Sequence, residues 1–186
     1  MKHHLQSHYF FLWMCVVNVT VAMAFGYLSP LTGYVQGDHS PAYTLFTTHF
    51  THQNTQHLLT NMLALWMLLY LFPNKIKTIL TSYFLCILMT AAYVYATEIH
   101  AFVGFSALLY CLPGSYLFHS LVTKKYHISL LVLMILYVYL YMIVPMNSQE
   151  NSLWQPMTPA HLIGFVSGFL TALINHGPIE QTSILD

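Results

Sequence analysis

The chain has 186 residues, of which 57% are hydrophobic and 5% charged, with a mean hydropathy of +0.60 and a formal net charge of zero. Soluble domains carry about a quarter charged residues, so this composition excludes one and indicates an integral membrane protein. With no net positive charge and no arginine, a polyanion-binding surface is excluded, and a nucleic-acid partner with it.

A crossing needs about 20 apolar residues, so 186 residues hold at most six or seven and leave no room for a separate soluble domain; one membrane domain over 1–186 is expected. The first apolar run covers 9–28, after Lys2 and three histidines. Its Ala22-Met23-Ala24 mimics a signal-peptidase site, but the run is long for a signal core. Residues 28–54, with Pro30, Gly33, Gly37, Asp38 and Pro41, read as a long loop that partly re-enters the membrane surface. Further spans are predicted at 55–72, 78–97, 102–122, 128–146 and 159–175, the last two joined by a polar loop, 147–158, that carries Glu150 and Trp154. The fold class is therefore all-α: a polytopic membrane protein, a bundle of six transmembrane helices. Cys15, Cys86 and Cys111 lie inside apolar runs, where thiols behave as small hydrophobes. They form no disulfide framework or zinc spacing.

Charge gives the topology. Lys2, Lys75, Lys77, Lys124 and Lys125 fall on one side of the six-span scheme, and Asp38, Glu98 and Glu150 fall in the three opposite loops. Loop lysines mark the cytoplasmic face, so both termini are expected there and the acidic loops outside. Spans two, four and six then descend from the outside, and their first turns share one depth. Those turns carry His57 and Asn61, Ser106, and His161 respectively.

His57 and Asn61, four residues apart, share a helical face, and both can donate hydrogen bonds to an anion; alternatively, they pack and tie neighbouring helices. Ser106 opens an apolar run, where free backbone N–H groups and the positive helix end favour an oxyanion; taken alone, it reads as a packing residue or a back-bonded hydroxyl. Ala160, Gly164 and Gly168 recur every fourth position, which lets two backbones approach closely, with His161 flanking the seam. A simple packing motif would look the same. If the partner is span four, Ser106 meets His161 and the pair can act as a dyad, with the Ser106 N–H, His57 and Asn61 as oxyanion donors. No carboxylate lies nearby to orient His161; Tyr110, one turn from Ser106, either stacks on the imidazole or is an ordinary core tyrosine.

Together, His52, His57 and Asn61 on span two, Gly104, Ser106 and Tyr110 on span four, and Ala160, His161, Gly164 and Gly168 on span six resemble the rhomboid intramembrane serine proteases in order and spacing. The resemblance implies a Ser106–His161 dyad, supporting roles for His57, Asn61, Tyr110, Gly104 and His52, and no cofactor or metal. It also implies a membrane-anchored protein substrate, cut in its transmembrane or carboxy-terminal anchor segment near the outer leaflet. The His49-Phe50-Thr51-His52-Gln53-Asn54 run and the lack of an added soluble domain look most like the rhombosortase branch, which places the chain in a bacterial inner membrane. From the same resemblance, the fifth span and its outer loop are expected to gate substrate entry. Two departures stand out: Ala107 replaces the usual glycine after the serine, and Tyr43-Thr44 replaces a Trp-Arg pair. The competing readings are an inactive rhomboid-like protein that binds transmembrane helices and a membrane protein whose histidines line a metal site or transport path; the absence of His-Glu-x-x-His argues against a metalloprotease.

Overall fold

The computed structural model describes residues 2–27, 34–35, 41–72, 75–97, 101–138 and 158–175. Among them the long helices are α1 (Lys2–Phe25), α3 (Thr55–Leu71), α4 (Ile76–Ala96), α6 (Cys111–Val122), α7 (Tyr126–Val138) and α8 (Thr158–Asn175). Shorter pieces are α2 (Thr44–Thr47), α5 (Ser106–Leu109) and a 3₁₀ turn at Thr48–Phe50. The architecture is all-α apart from one antiparallel pair of two-residue strands, β1 (Tyr34–Val35) and β2 (Ala101–Phe102), with Tyr34 opposite Phe102 and Val35 opposite Ala101.

Several boundaries differ from those expected. The fourth crossing starts at Ser106 rather than 102, because Phe102 belongs to β2 and Gly104, at φ +135°, cannot continue a helix. The first helix starts at Lys2 and stops at Phe25, where Gly26 at φ +77° donates its N–H to the Ala22 carbonyl at 3.0 Å and closes the last turn. The segment expected to be loop over 28–54 contains α2 and the 3₁₀ turn. The end of the fifth run beyond Val138, the loop residues 147–157 with Glu150 and Trp154, and Asp38 and Glu98 lie outside the described residues.

Two described helical stretches, His8–Phe25 and Ile76–Ala96, are long and apolar enough to cross a bilayer by length and composition; Pro159–Asn175 is shorter. The α5–α6 stretch rises only about 25 Å at 1.5 Å per residue, less than the roughly 30 Å hydrocarbon layer. Its start is therefore sunk inside the bundle. The Cys111 thiol donates to the Ser82 carbonyl of α4 at 3.6 Å, which sets the two helices level there. From Ser82, α4 rises about 21 Å to Ala96, whereas Ser106 stands only about 7.5 Å above Cys111, so it lies on the order of 13 Å below the Ala96 end.

α8 lies along α6 and α4, and it meets α6 backbone to backbone. A Cβ on Gly164 would overlap the Ala107 carbonyl oxygen, one on Gly168 the Cys111 carbonyl, and one on Gly114 the Phe165 carbonyl. The glycines thus interlock from both helices. Leu65, Cys86, Phe105 and Leu108 are fully buried at the centre of the core. At the other end, Lys124 takes φ 58°, Lys125 donates its N–H to the Ser120 carbonyl at 2.8 Å, and the Ser120 and Ser129 hydroxyls meet at 2.7 Å, closing the α6–α7 hairpin.

Candidate active site

Ser106 is the first residue of α5, and the chain is fixed on both sides of it. Just before it, Gly104 donates its N–H to the Thr48 carbonyl at 3.0 Å, in a conformation that a side chain would strain. Phe105 is fully buried, edge-on to Tyr83 at 6.0 Å and 83°, and close to Phe50 at 6.2 Å. The serine that follows has little freedom of position. Its Oγ lies 2.8 Å from His161 Nε2, across 55 residues of sequence.

His161 sits in the first turn of α8 and is buried, next to buried Ala160. The Gly164 and Gly168 contacts below it fix how far α8 stands from α5 and α6. The Tyr110 ring lies 5.0 Å from the imidazole with 31° between planes, a tilted stack that limits rotation of the ring. With Nε2 unprotonated, the imidazole accepts the Ser106 hydroxyl proton.

His57 enters from α3. Asn54, in extended backbone just before the helix, accepts the His57 N–H on its Oδ1 at 2.8 Å, and the Gln53 N–H donates to His57 Nδ1 at 3.4 Å. The ring reaches the serine across Gly104: a Cβ there would stand 3.2 Å from His57 Cε1 and 3.6 Å from Ser106 Oγ. Only a glycine leaves both groups their present separation. His52 meets His57 edge to face, 5.2 Å between centroids. Burial pushes the His49 imidazole down to about 3 from the ordinary 6.5; burial and neighbouring His57 do the same to His52, against a hydrogen bond with the Phe50 backbone. Both are therefore neutral near pH 7.

Asn61, one turn beyond His57, is buried, and its Nδ2 has no hydrogen-bond partner among the described residues. It shares with Ser106 a cavity of about 400 Å³ that runs between α3 and α5–α6 to Val132 of α7, past Leu68, Leu109 and Pro113. Among the described residues no three His, Cys, Asp or Glu side chains gather to hold a metal ion.

The two departures from the motif have local accounts. Ala107 is a buried residue of a helical turn, where alanine strains nothing, and its carbonyl faces Gly164. The first loop is held by its main chain, through β1–β2 pairing and the Gly104–Thr48 bond, while Thr44 is buried with its hydroxyl donating to the Pro41 carbonyl at 2.8 Å. Sequence reasoning gave no role in the site to Thr48, to Val132, or to Asn54 beyond its place in the His49–Asn54 run. Only Asn54 carried a signal, as a polar residue directly before an apolar run.

A model of the Rhomboid domain matches residues 39–178, from before α2 to beyond α8. No curated protein and no solved structure matches the chain. With that match covering most of its length, the chain belongs to the rhomboid family, whose members are polytopic integral membrane proteins and, in general, intramembrane serine proteases.

Proposed function

We propose that the chain is a serine endopeptidase that cuts the transmembrane or carboxy-terminal anchor segment of a membrane-tethered protein near the outer leaflet. The observation that carries this reading is the 2.8 Å approach of Ser106 Oγ to His161 Nε2. As Oγ attacks the scissile carbonyl carbon, Nε2 takes its proton, and the carbonyl oxygen becomes an oxyanion. The Ser106 N–H, the His57 imidazole and the Asn61 amide supply the donors. Collapse of the tetrahedral species breaks the C–N bond, and the imidazolium protonates the leaving amine. Water, deprotonated by His161, then hydrolyses the acyl-enzyme and frees Ser106.

Two further observations support the reading. An idle buried donor such as Asn61 Nδ2 costs about 1–3 kcal/mol, which is understandable in a group reserved for a charge that exists only during reaction. The tilted Tyr110 ring restrains His161 where a triad would use a carboxylate. The cavity beyond Ser106 takes an apolar stretch of substrate, so the bilayer and a transmembrane segment are the partners. The branch is that of rhombosortases, with residues 1–186 as one membrane domain, both termini cytoplasmic, in a bacterial inner membrane.

Fluorophosphonate labelling of the detergent-purified chain tests this. Labelling of the wild type, lost in Ser106→Ala, supports the enzyme; an unlabelled wild type that still binds transmembrane segments supports an inactive helix-binding protein, and histidine-dependent zinc binding without labelling supports the metal reading.

A further inference from the structure

The first turn of α3 carries a reciprocal pair of hydrogen bonds around His57. Asn54 is the N-cap and its Oδ1 takes the His57 N–H at 2.8 Å; the His57 side chain folds back, and its Nδ1 takes the Gln53 N–H at 3.4 Å. This varies a capping box, in which the third helical residue reaches back to the N–H of the cap itself: here an imidazole replaces the usual carboxylate or amide and takes the N–H one residue earlier. The substitution has a chemical consequence that a glutamate would not have. An imidazole that accepts at Nδ1 is neutral and carries its proton on Nε2. With Nδ1 tied to the loop, the Cε1–Nε2 edge faces Gly104 and Ser106, as the 3.2 Å and 3.6 Å approaches to a Gly104 Cβ position show. His52, edge-on at 5.2 Å, limits the ring from another side.

We propose that Asn54 is a positioning residue for His57: the turn it caps fixes the Nε2–H tautomer and aims that proton at the substrate carbonyl oxygen. The proposal rests on the serine protease reading and extends it by one shell. A helix cap, ordinarily a device of stability, here sets the proton inventory of an oxyanion donor.

The experiment combines nitrogen-15 NMR of histidine-labelled protein in micelles, with His57 assigned by its loss in His57→Gln, and the kinetics of Ser106 labelling by a fluorophosphonate. In the wild type His57 is expected as the Nε2–H tautomer. In Asn54→Ala the Nδ1–H tautomer should appear and the maximal labelling rate should fall roughly 10- to 100-fold, as for small misplacements of reacting groups, with half-saturation unchanged. Asn54→Ser, which restores a cap, should recover both. An Nδ1–H tautomer in the wild type overturns the proposal, even if Asn54→Ala fails to fold. So does an Asn54→Ala protein that loses thermal stability while keeping its tautomer and labelling rate. A wild type that shows the Nε2–H tautomer but takes no label overturns instead the protease reading beneath it.

Discussion

At the scale of single residues, the dyad and its donors should separate by severity. Ser106→Ala and His161→Ala are each expected to abolish cleavage of a membrane-anchored substrate, since each removes the nucleophile or the base hydrogen-bonded to it. Asn61→Ala should cost about 2.7–4 kcal/mol of transition-state stabilisation, or less where His57 and the Ser106 N–H compensate. Rates that match wild type in either dyad mutant would remove the mechanism. His49 and His52 give a pH prediction of a different kind. Held down to about 3 in the folded chain against 6.5 when exposed, they take up protons on unfolding between those values. Their contribution is therefore complete above pH 6.5 and declines as pH falls, by up to about 1.4 kcal/mol per unit for each. Thermal denaturation in detergent from pH 7.5 to 5 should show a falling midpoint, with a shallower fall in His49→Asn; a flat profile contradicts it. The candidate site residues stood out in the sequence because polar groups are costly in apolar helices. Their mutual contact was expected from the family resemblance and not from spacing, which leaves free how α8 is rotated against α6.

At the scale of elements, the α6–α8 seam is the joint that sets the site. Replacing Gly168 or Gly164 by alanine drives a methyl into a main-chain carbonyl that cannot rotate away. About 1–3 kcal/mol of destabilisation is expected, with fluorophosphonate labelling reduced in the protein that remains folded, because the helices bearing Ser106 and His161 are pushed apart. Unaltered denaturation midpoints would show that the seam has slack. Half of this seam could be read from the four-residue rhythm of Ala160, Gly164 and Gly168. Gly114, which answers from the other helix, follows Pro113 and falls off the four-residue rhythm of small residues at Ala107, Cys111 and Ser115, so nothing marked it. The start of α5 was hidden for a related reason: residues 101–105 are as apolar as the helix they precede, and the break lies in the backbone of Gly104.

At the scale of the whole molecule, two of the described helices are long and apolar enough to cross a bilayer by length and composition, whereas the apolar runs of the full sequence suggest six crossings. The expected six-span topology rests on charge segregation and can be checked directly. Lys75→Cys and Lys125→Cys should react with a membrane-impermeant maleimide from the cytoplasmic side and Glu98→Cys from the opposite side; the reverse pattern, or labelling of all three from one side, would break the six-span scheme. The glycine contacts between α6 and α8 have a further consequence for how the protein answers its solvent. Where two main chains touch, no compressible layer of side chains separates the helix of the nucleophile from that of its base. A thinner or thicker lipid layer then tilts the pair as one beam. Mass spectrometry of products made in short-chain and long-chain lipids should find the cut displaced along the substrate while turnover persists, with lost turnover at an unmoved cut as the contrary result.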